Sequence, residues 1–170
     1  MKKRIFNILF HTALATIIVA CTGGYSFTGA DISPDVKTVS IEYFQNRATL
    51  VQPSLSNIFT ETLRNKFMSQ TNLELINYNG DLSFEGEITN YNIEAQAFQG
   101  NETAALNRLT ISVRVKFTNN LEPTKNFDSA FSRYADFESS QSLSSIEDEL
   151  IQQICNELIV DIFNKSVANW

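Results

Sequence analysis

The segment from Arg108 to Thr118 constrains the fold most, because its residues alternate strictly between polar and apolar types. A period of two predicts a β-strand with one buried face and one polar face. The chain must therefore contain a sheet that is covered on one side. The apolar positions are Leu109, Ile111, Val113, Val115 and Phe117, and the polar positions are Arg108, Thr110, Ser112, Arg114, Lys116 and Thr118.

Two shorter strands are predicted upstream. Residues 36–43 alternate, and Val39, Ile41 and Tyr43 share the apolar face of this strand. Residues 73–76 form a second short strand, which ends before an Asn-Gly turn.

A long strand is predicted from Leu82 to about Phe98. Its apolar residues change parity near Asn90, and a β-bulge there would keep both halves directed at the core. A further strand is predicted over 126–137, after a turn that contains Pro123.

Two amphipathic helices are predicted. The first begins at Pro53 and ends before Thr71. The second begins near Ile146, after two overlapping Ser-x-x-acid capping patterns in residues 144–148. Their apolar positions are Leu55, Ile58, Phe59, Leu63 and Phe67 in the first, and Ile146, Leu150, Ile151, Ile154, Leu158, Ile159, Ile162 and Phe163 in the second.

The order of these elements, strand, helix, several strands and helix, predicts an α+β domain. We expect a two-layer sandwich in which both amphipathic helices pack on one face of a mostly antiparallel or mixed sheet of four to five strands. The wide apolar stripe of the second helix favours contact with the sheet and with the first helix.

Residues 1–20 combine a basic head, an apolar body and a small last residue, as in a secretory signal peptide. The sequence Ile-Val-Ala-Cys at 18–21 resembles the bacterial lipobox, in which the cysteine is lipidated and becomes the new N-terminus. The resemblance implies lipidation at Cys21, an anchor and tether over residues 21–34, and a folded domain over 35–170. An ordinary signal peptide with an incidental cysteine is the alternative.

Loss of the signal segment makes the protein strongly acidic. The chain has 13 basic and 19 acidic residues, and the segment removes Lys2, Lys3 and Arg4 but no acid, which leaves a formal charge of −9. An acidic chain is poorly suited to nucleic acid, whose binding requires basic residues. The only histidine, His11, is also removed. This excludes histidine-based catalytic triads and disfavours a zinc site of histidine and cysteine ligands.

Three segments of the mature chain resemble the LptE-type family of lipopolysaccharide-assembly lipoproteins, in a form seen in Bacteroidetes-like bacteria. They are the glycine-aromatic segment 23–29, "SPDVKTVSIEYFQN", and "LSNIFTETLRNKF" on the first helix. The resemblance implies an outer-membrane lipoprotein that works with a large β-barrel of LptD type to insert lipopolysaccharide. The domain would be a plug or scaffold facing the periplasm or the barrel lumen, with no catalysis, cofactor or metal.

The resemblance also gives a possible role to three cations on the polar face of the central strand. Arg108, Arg114 and Lys116 form a candidate row for lipid A phosphates, since arginine binds phosphate in a bidentate manner. The alternative is that these cations keep the strand soluble and pair with Glu85 and Glu87. For the whole protein, the alternative is a generic outer-membrane lipoprotein that binds a glycan or a peptide through its sheet.

Two side chains have both a functional and a structural interpretation. Ser129 lies in a sequence, Asp-Ser-Ala, that resembles the short O-glycosylation sequon of Bacteroidetes periplasmic proteins, but it also lies in a predicted strand. Cys155 lies on an apolar helical stripe, which favours a buried, unreactive thiol over a reactive one.

Overall fold

The computed structural model describes residues 32–96 and 105–168. The signal segment and Cys21 lie outside them. The elements are β1 (Thr38–Ile41), β2 (Gln45–Asn46), α1 (Leu55–Gln70), β3 (Glu74–Ile76), β4 (Leu82–Gln96), β5 (Leu106–Asn119), a 3-10 turn (Pro123–Lys125), β6 (Phe127–Glu138) and α2 (Leu143–Val167). The predicted α+β class with two helices is confirmed.

The strands form one mixed sheet in the order β3-β1-β4-β5-β6, with β2 paired to β4. Strands β1 and β2 run parallel to their neighbours, whereas β4, β5 and β6 form an antiparallel meander. The sheet has six strands rather than four to five. The additional strand, β2, has only two residues, which are too few to show an alternating pattern.

Both helices pack on the same face of the sheet and on each other, as predicted. The Phe67 ring on α1 lies with its centroid 4.8 Å from that of Phe84 on β4 and 5.1 Å from that of Phe163 on α2. This aromatic cluster joins both helices to each other and to the sheet. The apolar face of β5 is fully buried beneath it, so the phase predicted for this strand is confirmed.

The predicted bulge is present in β4. The pairing of β4 with β5 shifts between Ile88 and Asn90, which leaves Thr89 as the extra residue. Because of this shift, Ile88 and Tyr91 are both buried although their parities differ. The Thr89 hydroxyl donates to the backbone oxygen of Ser112 at 3.2 Å, which ties the bulge to β5.

The connection from β3 to β4 passes very close to β1. Asn79 has a φ of 57°, and a Cβ placed on Gly80 would lie 2.5 Å from the backbone nitrogen of Ser40. Glycine is therefore required at this crossing. The next residue, Asp81, accepts hydrogen bonds from the backbone N–H groups of Lys37 and Thr38 at 2.8 and 2.9 Å. These bonds lower the pKa of Asp81 and fix the start of β1.

The expected burial of Tyr43 is wrong. Regular pairing of β1 ends at Ile41, and the chain bends before β2 resumes the ladder at Gln45. The bend places Phe44 in the core with no exposed surface, while Tyr43 is 53% exposed. The backbone N–H of Phe44 donates to the Thr60 hydroxyl at 3.1 Å, so α1 holds this bend in place.

The start predicted for the second helix is also wrong. Helix α2 begins at Leu143, three residues before Ile146, and its N-cap residue Ser142 makes no capping hydrogen bond with its side chain. The hydroxyls of Ser142 and Ser144 instead contact each other at 2.9 Å, and that of Ser145 donates to the Ser142 carbonyl at 2.7 Å. Leu143 packs against the core and extends the helix toward its N-terminus.

Candidate functional site: the open face of the sheet

The polar side of β5 forms the centre of an open sheet face, because both helices cover the opposite side. The three cations predicted as a row lie on this face. Arg108 and Arg114 are six residues apart on one strand, a separation of about 20 Å. Arg114 and Lys116 help line an open depression of about 430 Å³, together with Glu42, Glu85, Gly86, Glu87 and Asp128, whereas Arg108 lies outside it.

Arg108 is bound by a carboxylate on the neighbouring strand. Its Nε and Nη2 atoms donate to the two carboxylate oxygens of Asp136 at 2.7 and 2.8 Å. The hydrogen bonds hold the pKa of Asp136 below its usual value of 3.8. The guanidinium carbon also lies 3.6 Å from the ring centroid of Tyr134, a cation–π contact on the open face.

Arg114 has the same bidentate arrangement with Asp128. Its Nε and Nη2 atoms donate to the two carboxylate oxygens at 2.8 and 2.9 Å, and these bonds lower the pKa of Asp128. Glu87 is the register partner of Arg114 on β4. The guanidinium is nevertheless bound by β6, on the other side.

Lys116 makes the ion pair with Glu85 that the sequence suggested. Its Nζ atom lies 3.2 Å from Glu85 Oε2, and both side chains are about half exposed. The pairing of Lys116 with Glu85 follows the strand register directly, since the two residues are Cα partners. All three predicted cations thus have a carboxylate partner on an adjacent strand.

Sequence reasoning missed the two aspartates on β6. Asp136 is the register partner of Arg108, whereas Asp128 is opposite Lys116 and binds Arg114 diagonally. That register depends on the turn between β5 and β6, where the Asn126 side-chain oxygen accepts from the backbone N–H of Asn119 at 2.7 Å. In the sequence, both aspartates are at even-numbered positions of the predicted strand. This shared parity could have indicated that they lie on the same face of the sheet.

Ser129 and Cys155, for which the sequence allowed both a functional and a structural interpretation, do not lie on the open face. Ser129 is directed to the helix side of β6, where its hydroxyl accepts a hydrogen bond from Lys165 Nζ at 2.7 Å. Cys155 is fully buried, and burial raises the pKa of its thiol to about 12. A thiol with that pKa stays protonated and unreactive at neutral pH.

The part of the chain that the structure describes has neither a metal-binding cluster nor a membrane-spanning helix. In residues 32–96 and 105–168, no group of three or more histidine, cysteine, aspartate or glutamate side chains is arranged to hold a metal ion. Within the same ranges, neither helix is long and apolar enough to span a bilayer.

A family model described as lipopolysaccharide-assembly, LptE, matches residues 36–166, which include every element of the fold except the end of α2. The chain belongs to the LptE family. Membership makes it a membrane-associated lipoprotein of lipopolysaccharide assembly. No curated protein matches the sequence at a significant level.

Solved structures resemble this LptE-family chain at low sequence identity. A neuraminyllactose-binding hemagglutinin homologue from Helicobacter pylori has a TM-score of 0.51 at 10% identity, covering 84% of this chain and 89% of that one. A minor lipoprotein from Acinetobacter baumannii has a TM-score of 0.47 at 16% identity, covering 76% and 91%. A hypothetical protein from Chlamydia trachomatis has a TM-score of 0.48 at 14% identity, covering 79% and 99%.

Proposed function

We propose that this LptE-family protein is held in the outer membrane by an acylated Cys21 and works with a large β-barrel of LptD type. In this role the domain is a non-catalytic plug or scaffold for the insertion of lipopolysaccharide. Two or more acyl chains on Cys21 would give a stable anchor, since one chain alone binds a bilayer only marginally. Residues 22–34 would be the tether between the anchor and the folded domain.

The observation that carries this proposal is the open face of the sheet. It is a broad polar surface, and its three cations are paired with carboxylates on neighbouring strands. A protein inside a barrel must present such a surface, because barrel lumens are polar and filled with water. The bidentate pairs also fix the orientation of the side chains, which suits a rigid scaffold.

We further propose that Arg108, Arg114 and Lys116 contact lipid A phosphates by exchanging their carboxylate partners for phosphate oxygens. Lys116 is the easiest to exchange, because its ion pair rests on one 3.2 Å contact and its side chain is 56% exposed. Arg108 is the hardest, because it is bound by two short hydrogen bonds and lies over Tyr134. The scaffold role does not require this exchange, so direct contact with lipid A is proposed and tested separately.

Co-purification tests the scaffold role. The tagged full chain is extracted from its own cells in mild detergent, and the proteins that remain bound are identified by mass spectrometry. We expect a large outer-membrane β-barrel in near-stoichiometric amount. A chain that elutes alone as a monomer would contradict the scaffold role and favour a lipoprotein that binds a glycan or peptide.

A pair of variants tests whether the open face of the sheet is the surface that contacts the barrel. Replacing Asn92, Thr110 and Ser132 with lysine adds bulk and positive charge to the open face without touching the core. We expect the barrel to be lost from this variant while Asn57→Lys, on the exposed side of α1, retains it. Equal retention by both variants would mean that another surface meets the barrel.

A further inference from the structure

Strand β6 ends the sheet on one side, and within residues 32–96 and 105–168 no strand pairs with its outer edge. The opposite end of the sheet is closed by β3, which has only three residues. By contrast, β6 has twelve residues and an unbroken register with β5. A long, regular edge of this kind is a template for another strand.

The backbone groups that face the outer edge follow from the hydrogen bonds at the end of the ladder. The backbone N–H of Ser139 donates to the Ala105 carbonyl at 2.9 Å, one position beyond the paired register. Because the direction of these groups alternates along an antiparallel pair, odd-numbered residues bond to β5. The outward-directed residues are Asp128, Ala130, Ser132, Tyr134, Asp136 and Glu138.

The edge lacks the usual protection against strand addition. The β6 sequence contains no proline, and its pairing with β5 contains no bulge. Three of its four charged residues, Asp128, Arg133 and Asp136, are held in ion pairs with Arg114, Asp161 and Arg108, respectively. Arg108 and Arg114 lie on β5, so they draw the two aspartates away from the outer edge, which the carboxylates would otherwise block.

The two sides of the edge differ in chemistry. On the helix side, Phe127 and Phe131 are only partly buried, and Lys165 Nζ lies 4.8 and 5.6 Å from their ring centroids. An apolar side chain on an added strand would complete the burial of these rings. Along β4, β5 and β6, the open side has three cations but six carboxylates. The cations are Arg108, Arg114 and Lys116, and the carboxylates are Glu85, Glu87, Glu94, Asp128, Asp136 and Glu138.

This charge distribution argues against a second copy of the chain as the occupant. Antiparallel pairing of two β6 strands over residues 128–138, a register in which the outward residues face each other, places Asp128 of one copy opposite Glu138 of the other. A shift by two residues places Asp128 opposite Asp136. Like charges directly opposite each other destabilise a strand pair.

We infer that β6 binds an extended segment of a partner protein that alternates basic residues, toward the open face, with apolar residues, toward α2. Backbone hydrogen bonds to the six outward residues supply affinity, and the alternation of side chains supplies specificity. This docking surface requires neither lipopolysaccharide nor the barrel, so it goes beyond the proposed function.

The test uses the full lipoprotein in detergent and a synthetic peptide of about ten residues that alternates lysine and valine. Amide hydrogen exchange is followed at single-residue resolution at about 0.15 M salt, where long-range attraction is screened. Without peptide, the even-numbered amides of β6 should exchange fast and the odd-numbered ones slowly. Saturating peptide should slow the even-numbered amides by about tenfold or more. A peptide of the same composition in scrambled order should not.

Ala130 provides a matched pair of variants, because its N–H faces the outer edge and its side chain is exposed. Ala130→Pro removes one outward donor without removing a bond to β5, and it should weaken peptide binding about tenfold or more. Ala130→Val keeps the donor and should bind as the parent does. The exchange pattern of the unmodified chain provides the test if the proline variant fails to fold.

Three results would overturn the inference. One is a peptide that binds without protecting any even-numbered amide of β6, which indicates charge attraction alone. Another is equal binding by the Ala130→Pro and Ala130→Val variants. The third is protection of the β6 edge by raising the protein concentration without peptide, which would make a second copy the occupant.

Discussion

The phenolic hydroxyl of Tyr91 donates a 2.5 Å hydrogen bond to Oε1 of Glu147, 56 residues further along the chain. Tyr91 follows the bulge in β4, and Glu147 lies in the second turn of α2. The bond therefore joins β4, just after its bulge, to helix α2. Burial and the neighbouring Glu147 both raise the pKa of Tyr91 above its ordinary value of 10.0.

We expect Tyr91→Phe to lower the free energy of unfolding by about 1 to 2 kcal/mol, because it removes a partly buried bond to a charged acceptor. The contribution of this tyrosine should be present below pH 10 and lost as the pH rises through its raised folded-state pKa. Urea unfolding of the two proteins at pH 7 measures the loss. Tyr134→Phe, at a half-exposed tyrosine, is the control. Equal effects of the two changes would contradict a specific role for the Tyr91–Glu147 bond.

The aspartates on β6 should make the fold sensitive to acid. The pKa values of Asp128 and Asp136 lie below 3.8 in the folded state, mainly because of hydrogen bonds from Arg114 and Arg108. A lowered folded-state pKa stabilises the fold above the unfolded value, and the stabilisation is lost as the pH falls through the folded value. Stability should therefore fall from about pH 4 downward.

The double variant Asp128→Asn/Asp136→Asn should have a lower urea midpoint at pH 7 and a flatter profile below pH 4. Its midpoint should approach that of the parent chain at the acid end. Glu149→Gln, at an exposed position on α2, serves as the control and should leave the profile unchanged. A double variant whose profile runs parallel to that of the parent would show that these two carboxylates do not determine the acid response.

The core should respond strongly to cavity-forming changes. Phe59→Ala and Leu158→Ala should each lower the free energy of unfolding by about 2 to 5 kcal/mol, because both side chains are fully buried. Asn57→Ala, on the exposed side of α1, should cost little. Lys66 is less suitable as a control, because its Nζ lies 5.2 Å from the Phe163 ring centroid. Comparable losses at all three positions would mean that the helical phases differ from those described.

Local patterns predicted most of the fold. The phase of β5, the bulge near Asn90 and the apolar stripe of α1 follow from periodicity within short windows, which burial on one face imposes. The bend at Tyr43 did not follow, because it depends on the Thr60 hydroxyl, which reaches the Phe44 amide from another element. The capping patterns at 144–148 failed for a similar reason. Helix α2 begins at Leu143, which lies before those patterns and packs against the core, a contact with other elements that the local pattern does not contain.

The candidate site was predictable only in part. The row of Arg108, Arg114 and Lys116 on one polar face follows from the alternation of a single strand. Their main partners, Asp128 and Asp136, depend on the register between β5 and β6, which a non-regular turn fixes. Register is a property of two strands and a turn together, so the pattern in either strand alone could not supply it.

The lipid anchor is tested by Cys21→Ala. Without acyl chains, the chain should remain unprocessed or appear as a soluble periplasmic protein, because the acyl chains supply the membrane affinity. Fractionation of membranes followed by mass spectrometry of the N-terminal peptide measures both outcomes. Normal processing together with unchanged membrane association would contradict lipidation at Cys21.

Direct contact with lipid A is tested by two triple variants that break the same ion pairs from opposite sides. Replacing Arg108, Arg114 and Lys116 with serine should weaken binding to lipid A vesicles about tenfold or more and flatten its salt dependence, because three screened cations are removed. The complementary variant is Asp128→Asn, Asp136→Asn and Glu85→Gln.

The complementary variant leaves the cations in place without their partners, so it should strengthen lipid A binding and steepen its salt dependence. Both variants lose the same three ion pairs, and the loss of stability from broken pairs should therefore be similar. A purely structural role predicts changes of the same sign in the two variants, whereas phosphate contact predicts opposite signs. If lipid A affinity is unchanged in both, the cations serve only to clamp the sheet, and the scaffold role remains without a lipid site on this face.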